Sequence, residues 1–426
     1  MKLAKISLAT MVALGAFSSV ASATPLEEAI KNVDVSGMAR YRYDSIKTKA
    51  SGEQGSKTNS HHTFRIKTNF KAAIDDNFFG VLGLRYQSRD TSGNNGLDKT
   101  DADKHFGVYQ LYLGYKAGNT TVTAGKQEVG TFFTDDEVGT GIRIVNQDIE
   151  GLTLAAVAFD ALDYDTYEAD GQLLDIANDK SEKDTVTKIT KTVISKDISY
   201  KPGNLYGVAA IGSYDPVGFQ LWYASLDKVA DLLAVELTGK FNVADDVAIR
   251  AKAQYVHSDA DSKAEKTFDT LGINYTDGNF YAGQLGTDLF GVALDGGYVG
   301  FKAKDYGATS YVFEDEGKLI APGERLVSDK IDYSLAEGKG SFWFVKAGYT
   351  FDKFFVGGDY AKGNVKTKDA ASGDIEKVKY DEWVARLGYK YSKKLNFTSW
   401  YSHITEKDGG DKDKRDYFRF QTVYSF

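Results

Sequence analysis

Acidic residues with the potential to bind cations lie in two short runs of the sequence. Asp135, Asp136 and Glu137 follow one another between glycines, and Glu314 belongs to a second run, residues 311–317. Carboxylates that separate segments bring to one place attract cations and offer the oxygen ligands that Ca²⁺ prefers. No EF-hand spacing accompanies either run, so an ordinary solvated acidic loop is the alternative in each case.

Basic residues that could face these acids lie in alternating segments. In residues 33–43, 63–74 and 415–426, apolar side chains recur at every second position and polar ones lie between them. This period predicts strands with one apolar and one polar face. A lipid-facing arginine at mid-bilayer would cost about 2–4 kcal/mol, so the polar faces are expected to line a lumen; scattered solubilising charge is the alternative. The predicted basic wall of this lumen consists of Arg40, Arg42, Arg65, Lys67, Arg85, Arg386 and Arg419.

Signatures of enzymes are missing from the sequence. The Ala-Gly-Lys-Gln run at residues 124–127 lacks the spacing and the Ser or Thr of a phosphate-binding loop, and no G-x-S-x-G motif occurs. The chain contains no cysteine, which excludes thiol chemistry. The histidines have no metal-type spacing; they are His61, His62, His105, His257 and His403. Only a serine and a histidine that meet in the folded chain could still form an active site.

The elements that must position the charged residues are a series of strands. From residue 33 onward, alternating stretches of about 8 to 12 residues are separated by short turns, such as 75–77, and by long polar connections, such as 45–60 and 304–339. The count is eighteen strands, and sixteen remains possible because the strand at 141–145 is weak and the segment 267–275 is placed in a loop. An even strand number and alternating short and long connections are typical of transmembrane antiparallel β-barrels.

The amino-terminal segment has the pattern of a secretory signal. Lys2 and Lys5 precede an apolar run at residues 6–20, and small residues at 21–23 fit a cleavage site. The sequence therefore predicts a cleaved signal peptide at residues 1–23 and a single all-β domain at residues 24–426.

Composition and the last strand favour the bacterial outer membrane. The chain has 27 Tyr, 25 Phe and 43 Gly, and closing a sheet into a barrel can stabilise such a protein without disulfides. The aromatic face of the last strand ends at Phe426, which resembles the assembly signal of outer-membrane barrels. A net charge of −8 argues against nucleic acid as a partner and leaves membrane lipid and small solutes.

The third predicted external connection, residues 128–140, is expected to fold inward and to narrow the lumen. Its acids would then face the basic wall. The electric field between these opposite charges passes small hydrophilic solutes and ions but disfavours apolar solutes. This pattern favours a general diffusion porin. The alternatives are a substrate-specific channel, with a basic ladder for carboxylates or an aromatic path for sugars, and a surface adhesin whose lumen is plugged.

Several dispersed segments together resemble the major outer membrane porin of Campylobacter and its relatives. The resemblance spans essentially the whole chain, and the external loops diverge most. It implies an eighteen-stranded, trimeric, mildly cation-selective porin that holds Ca²⁺ on acidic loop residues near the constriction. The segments that carry it are 24–37, 149–156, 203–215, 312–319 and 389–397.

The resemblance also suggests metal ligands. Asp135 is the nearest match for the ligand of the third loop, and Glu314 for that of the seventh loop. The run at residues 168–175 departs from the family spacing, so Asp170 or Asp175 is the candidate for a third ligand, or neither of them.

Overall fold

A computed structural model describes most of the chain after the predicted signal peptide. The predicted signal peptide at residues 1–23 and the candidate ligands Asp170 and Asp175 lie outside the described residues. The described residues are 33–92, 100, 105–163, 202–245, 247–270, 272–369 and 372–426.

Antiparallel strands dominate the described chain. Two short strands, β14 and β15, and two short helices lie in the connections. The elements are β1 (Val33–Lys49), β2 (Lys57–Ala73), β3 (Phe78–Ser92), β4 (Gly107–Ala117), β5 (Thr120–Glu128), β6 (Val138–Asn146), β7 (Leu152–Leu162), β8 (Leu205–Tyr214), β9 (Val217–Leu226), β10 (Ala230–Ala244), β11 (Val247–Ala260), α1 (Ser262–Asp269), β12 (Gly278–Leu289), β13 (Val292–Ala303), a 3-10 turn (Lys304–Tyr306), β14 (Ala308–Thr309), α2 (Leu326–Asp329), β15 (Ala336–Glu337), β16 (Lys339–Phe351), β17 (Phe354–Lys368), β18 (Ile375–Lys390), β19 (Leu395–Asp408) and β20 (Asp411–Ser425).

Eighteen of these strands form one closed antiparallel barrel. Each pairs with its sequence neighbour in the barrel, and β1 also pairs with β20, so the barrel has no free edge. The count confirms the prediction, and the described residues of the segment 267–275 form the end of α1 and a loop rather than a spanning strand. The predicted loop at 45–60 is too long, because polar cross-strand pairs such as Lys47 with Thr58 extend the ladder of β1 and β2.

The outer face of the barrel carries two aromatic girdles. On one level the rings of Trp343 and Tyr360 lie 5.4 Å apart; on the other level Phe354 and Tyr389 lie 4.7 Å apart. Leu387 lies between these levels and is 62% exposed. Such girdles flank the lipid-facing band of outer-membrane barrels, whose long connections face outward from the cell. Among the described residues, no helix is long and apolar enough to cross a membrane.

Two connections fold into the barrel, and the sequence predicts inward folding for the first of them. The short inward loop, residues 129–137, joins β5 to β6, and the long inward loop, residues 304–338, joins β13 to β16. Tyr311 and Tyr333 of the long loop are fully buried, and their rings pack against Phe280 and Phe301 of β12 and β13. The apolar core therefore lies inside the barrel, between the two inward loops and the strands from β7 to β20.

Candidate functional site

The short inward loop touches the basic wall directly. Because β2 alternates, Arg65 and Lys67 both point into the lumen, and both Arg65 Nη1 and Lys67 Nζ lie 2.9 Å from Asp136 Oδ2. Burial alone would raise the pKa of Asp136, but the ammonium of Lys67 and the guanidinium of Arg65 outweigh it and lower the pKa. Asp136 is thus an ionised carboxylate held against the wall.

Three neighbouring strands supply most of the predicted basic wall. In the register of β1 with β2, Arg40 lies opposite Arg65, and in that of β2 with β3, Lys67 lies opposite Arg85. Arg85 Nη2 lies 3.1 Å from Asp163 Oδ2. Arg42 Nε donates a hydrogen bond of 3.0 Å to Gln421 Oε1 on β20. The five predicted basic residues of β1–β3 therefore form one continuous patch with Asp136 bound to it.

The last two predicted basic residues lie elsewhere on the wall. Arg386 of β18 forms ion pairs with Asp359 of β17 and with Glu324 of the long inward loop, the latter at 2.7 Å. Arg419 of β20 forms an ion pair of 2.5 Å with Asp44 of β1. These two residues belong to separate ion-pair networks and do not contact the short inward loop.

Glu314 joins the two inward loops. Its Oε2 accepts hydrogen bonds of 2.9 Å from the backbone N–H groups of both Asp135 and Glu137. Backbone bonds add to the junction, because Phe313 N donates to Phe133 O at 2.9 Å. Lys318 Nζ, also of the long loop, lies 3.0 Å from Asp135 Oδ1. The two inward loops therefore cross and bind each other inside the barrel.

Glu137 and Glu314 lie side by side in this junction, and both are shielded from water. Burial raises the pKa of Glu137 to about 10, and the neighbouring carboxylate of Glu314 adds to the rise. Burial also raises the pKa of Glu314 to about 7; the N–H of Asp135 opposes this rise and the charge of Asp136 adds to it. Glu137 is therefore protonated at neutral pH and adds no charge to the loop.

An acidic cluster at the crossing of the loops has the donor chemistry of a hard-cation site. Carboxylate oxygens of Asp135, Asp136 and Asp315 all lie within 4.8 Å of one another. Oxygen-only donors suit Ca²⁺, although Lys318, Arg65 and Lys67 already contact two of these acids. Sequence reasoning missed Asp315, and its only signal was its position next to Glu314.

Two further lumen residues hold the long inward loop, and sequence reasoning missed both. Glu382 of β18 is 1% exposed, and its carboxylate accepts backbone N–H bonds from residues 324–326 and a hydroxyl bond from Ser402. On the other side, Gln254 of β11 donates to Lys318 O and accepts from Ile320 N, both at 2.8 Å. The long inward loop is thus bound to the barrel on both sides of the lumen.

Below the loops, toward the periplasmic turns, the lumen contains a cavity of about 390 Å³. Charges of both signs line it, and Arg250 Nη2 lies 3.2 Å from Asp295 Oδ2. Lys252 also lines it, and its Nζ lies 3.1 Å from Glu236 Oε2. Paired fixed charges of this kind suit a hydrated passage.

Comparison of the fold with solved structures finds outer-membrane channel barrels. OpdQ of Pseudomonas aeruginosa is similar with a TM-score of 0.65 and 14% identity, covering 93% of this chain and 98% of that one. OccAB3 of Acinetobacter baumannii gives a TM-score of 0.63 at 13% identity, with 92% and 100% covered. OpdK of Pseudomonas aeruginosa gives 0.62 at 13% identity, with 92% and 98% covered. At these identities the likeness concerns the fold.

The family comparison covers the entire chain. No curated protein matches it, but the family model described as Campylobacter major outer membrane protein matches residues 1–426. A match over the whole length, together with the closed barrel and its charged lumen, places the protein in the outer membrane as a channel rather than an enzyme. The chain belongs to the Campylobacter major outer membrane protein family.

Proposed function

We propose that the protein is a general diffusion porin for small hydrophilic solutes and ions. The observation that carries this proposal is the meeting of fixed charges at the narrowed part of the lumen, where Asp136 of the short inward loop binds Arg65 and Lys67 of the wall. Fixed charges of both signs order the water between them, so hydrated solutes pass while apolar solutes must displace bound water.

We also propose a mild preference for cations, and the exposure of the ion pairs supports it. In the pair of Asp136 with Arg65, the acid side chain is 28% exposed and the arginine 4%. Asp135 is 58% exposed. A passing ion therefore meets carboxylate oxygen before it meets guanidinium, and opposite charge attracts it within a Debye length of about 10 Å at 0.1 M salt.

Ion selectivity of a triple variant tests this proposal. Changing Asp135 and Asp136 to Asn and Glu137 to Gln should move the reversal potential in planar bilayers toward anions at low salt, and the shift should fade as salt rises. Because Glu137 is neutral, the triple variant removes two charges, and the matched control removes two from the periplasmic turns: Asp76→Asn and Asp352→Asn. This control should keep the wild-type preference. A triple variant with wild-type reversal potential at low salt would refute the charge assignment.

A substrate-specific channel is the second candidate, and the continuous basic patch of β1–β3 favours it. Small carboxylates would bind such a patch as they passed. Single-channel recordings separate the two functions, because a general porin gives large conductance steps that solutes barely block, whereas a specific channel shows saturable block by its solute. A plugged surface barrel would give almost no conductance.

We further propose that Ca²⁺ binds where the inward loops cross. Asp135 would supply one ligand, and Glu314 or its neighbour Asp315 another, since Glu314 already uses Oε2 for two N–H groups. The cation would offset the repulsion among these carboxylates. Chelator-treated protein should therefore gain thermal stability when Ca²⁺ is added, and Asp135→Asn should remove most of the gain. An equal gain in that variant would reject the site.

The assembly we propose is a homotrimer, as the family resemblance implies. Crosslinking in native membranes should give a three-chain product, and a product consisting only of single chains would reject the trimer.

A further inference from the structure

Lysines form an in-register row on the outer face of the barrel, at its extracellular end. Lys302 of β13 pairs with Lys339 of β16, Lys339 pairs with Lys366 of β17, and Lys366 pairs with Lys377 of β18. Side chains directly opposite each other on one face of a sheet are about 5 Å apart at Cβ, where like charges destabilise the pairing. An anionic partner would therefore stabilise a row of four like charges.

The row continues around the barrel. Lys379 of β18 pairs with Lys407 of β19, which pairs with Lys412 of β20, and Lys414 pairs with Lys49 of β1. In the described part of the chain, none of these side chains forms an ion pair, and all but Lys366, which is half-buried, are exposed. We call this surface the lysine band, and its members are Lys47, Lys49, Lys302, Lys339, Lys366, Lys368, Lys377, Lys379, Lys407, Lys412 and Lys414.

The lysine band lies at a constant height above the upper aromatic girdle. Trp343 and Lys339 are four residues apart on β16, and the same spacing separates Tyr298 from Lys302 and Trp383 from Lys379. Four residues of strand measure about 13 Å, which a barrel tilt of about 40° reduces to roughly 10 Å along the membrane normal. Because aromatic girdles mark the edge of the hydrocarbon, the ammonium groups lie at the depth of lipid headgroups.

The band is not a general property of the extracellular rim. At the same height on β10 and β11, Asp231 lies opposite Asp259, and Asp277 precedes β12. On the strands of the lysine band the outward acids at this height are Asp381 and Asp416, and Asp416 contacts His403 at 2.5 Å. Positive charge is therefore concentrated on the sector from β13 through β20 to β1.

We propose that the lysine band binds the phosphate groups of the phosphorylated glycolipid in the outer leaflet. The aromatic and aliphatic surface directly beneath the band would contact the acyl chains of the same lipid, and the ammonium groups would bridge its phosphates. Ammonium groups close to an anionic lipid surface each add to binding. The lipid would thereby relieve the repulsion between cross-strand lysines and seal this sector of the barrel in the membrane.

Lipid binding to the purified full-length protein tests the proposal. The row variant carries Lys302→Gln, Lys339→Gln, Lys366→Gln and Lys377→Gln. Native mass spectrometry would follow titration with bisphosphorylated lipid A in detergent micelles. We expect binding to the row variant at least about tenfold weaker than to the wild-type protein, and lipid A stripped of its phosphates should bind the wild-type protein equally weakly. Added salt should weaken only the phosphate-dependent binding.

The matched control removes the same charge from the periplasmic end: Lys353→Gln, Lys390→Gln, Lys393→Gln and Lys394→Gln. It should bind lipid A as the wild-type protein does. Equal binding by the row variant, or equal loss in the control, would overturn the proposal. A row variant that changed only the number of chains per particle would assign the band to contact between copies instead. Displacement of lipid A by inorganic phosphate at equal phosphate concentration would assign it to free anions.

Discussion

Individual side chains, rather than the strands alone, fix the shape of the lumen. The alternation of β2 predicts that Arg65 and Lys67 point inward, because the period of a strand depends only on local sequence. Their contact with Asp136 depends on a loop about seventy residues further along the chain, and no local pattern encodes that contact. The same holds for Glu382, whose four partners come from the long inward loop and from β19. Sequence therefore predicts which way a residue faces, but not its partner.

Removing the carboxylate of Glu382 should loosen the long inward loop. In Glu382→Ala, backbone N–H groups of residues 324–326 lose their acceptor. This loss should lower the free energy of unfolding by about 2–4 kcal/mol. Glu382→Gln keeps one oxygen acceptor but places an NH₂ group against N–H donors. Its decrease in the free energy of unfolding should therefore be about half as large. The matched control is Glu376→Ala, an exposed acid on the same strand.

Thermal unfolding of the barrel in detergent, together with the noise of the open channel, measures this effect. Stability should fall in the order wild type, Gln variant, Ala variant, and the Glu376 control should match the wild-type protein. Equal stability of Glu382→Ala and the control would mean that the loop does not depend on this carboxylate.

At the scale of elements, two inward loops cross inside the barrel. Gly317 lies at the crossing with a φ of 52°. A Cβ added there would lie 2.8 Å from the backbone oxygen of Phe132 in the other loop. The strand count follows from patterns in the sequence, and the inward folding of the short loop is expected because the third external connection of general porins folds inward. The crossing does not, because Glu314 and Asp135 come from connections that many strands separate.

Gly317→Ala should open the crossing of the loops. Alanine is strained in the left-handed backbone conformation and also displaces Phe132, so the two loops should separate more often. Trypsin cleavage after Lys318, followed by mass spectrometry, should become several-fold faster. Gly52→Ala is the matched control, because Gly52 also has a positive φ of 75° but no atom lies within 4 Å of the added Cβ. Equal cleavage rates at Lys318 in both variants would show that the crossing of the loops does not protect Lys318 from trypsin.

At the scale of the whole molecule, the barrel depends on one closing seam. Gly37 and Phe426 exchange two backbone hydrogen bonds, with N–O distances of 3.1 and 3.0 Å. The ring of Phe426 occupies the space beside Gly37, since a Cβ there would lie 2.8 Å from Cζ of the ring. The last residue of the chain is therefore part of the pairing of β20 with β1.

Deleting Phe426 should lower the yield of folded barrel in the outer membrane by several-fold, because the terminal ring and two backbone hydrogen bonds at the end of the β1–β20 ladder are lost. The conductance of the channels that do assemble should stay at the wild-type value, since the constriction lies elsewhere. Phe426→Tyr keeps the ring and the bonds, so it should assemble normally. The fraction of heat-modifiable protein on gels measures the yield, and a wild-type fraction from the deleted chain would count against the seam.

The long inward loop packs against one side of the barrel, and this packing determines which part of the wall deforms more easily. Strands β7 to β20 rest on a close-packed interior, and close-packed protein is nearly incompressible. Among the described residues, strands β2 to β5 contribute nothing to this core, and β2 and β3 form ion pairs with Asp136 and Asp163 instead. Lateral pressure from the bilayer should therefore deform the cross-section mainly along β2 to β5. The compliant part of the wall is thus the part that carries most of the basic patch bound to Asp136.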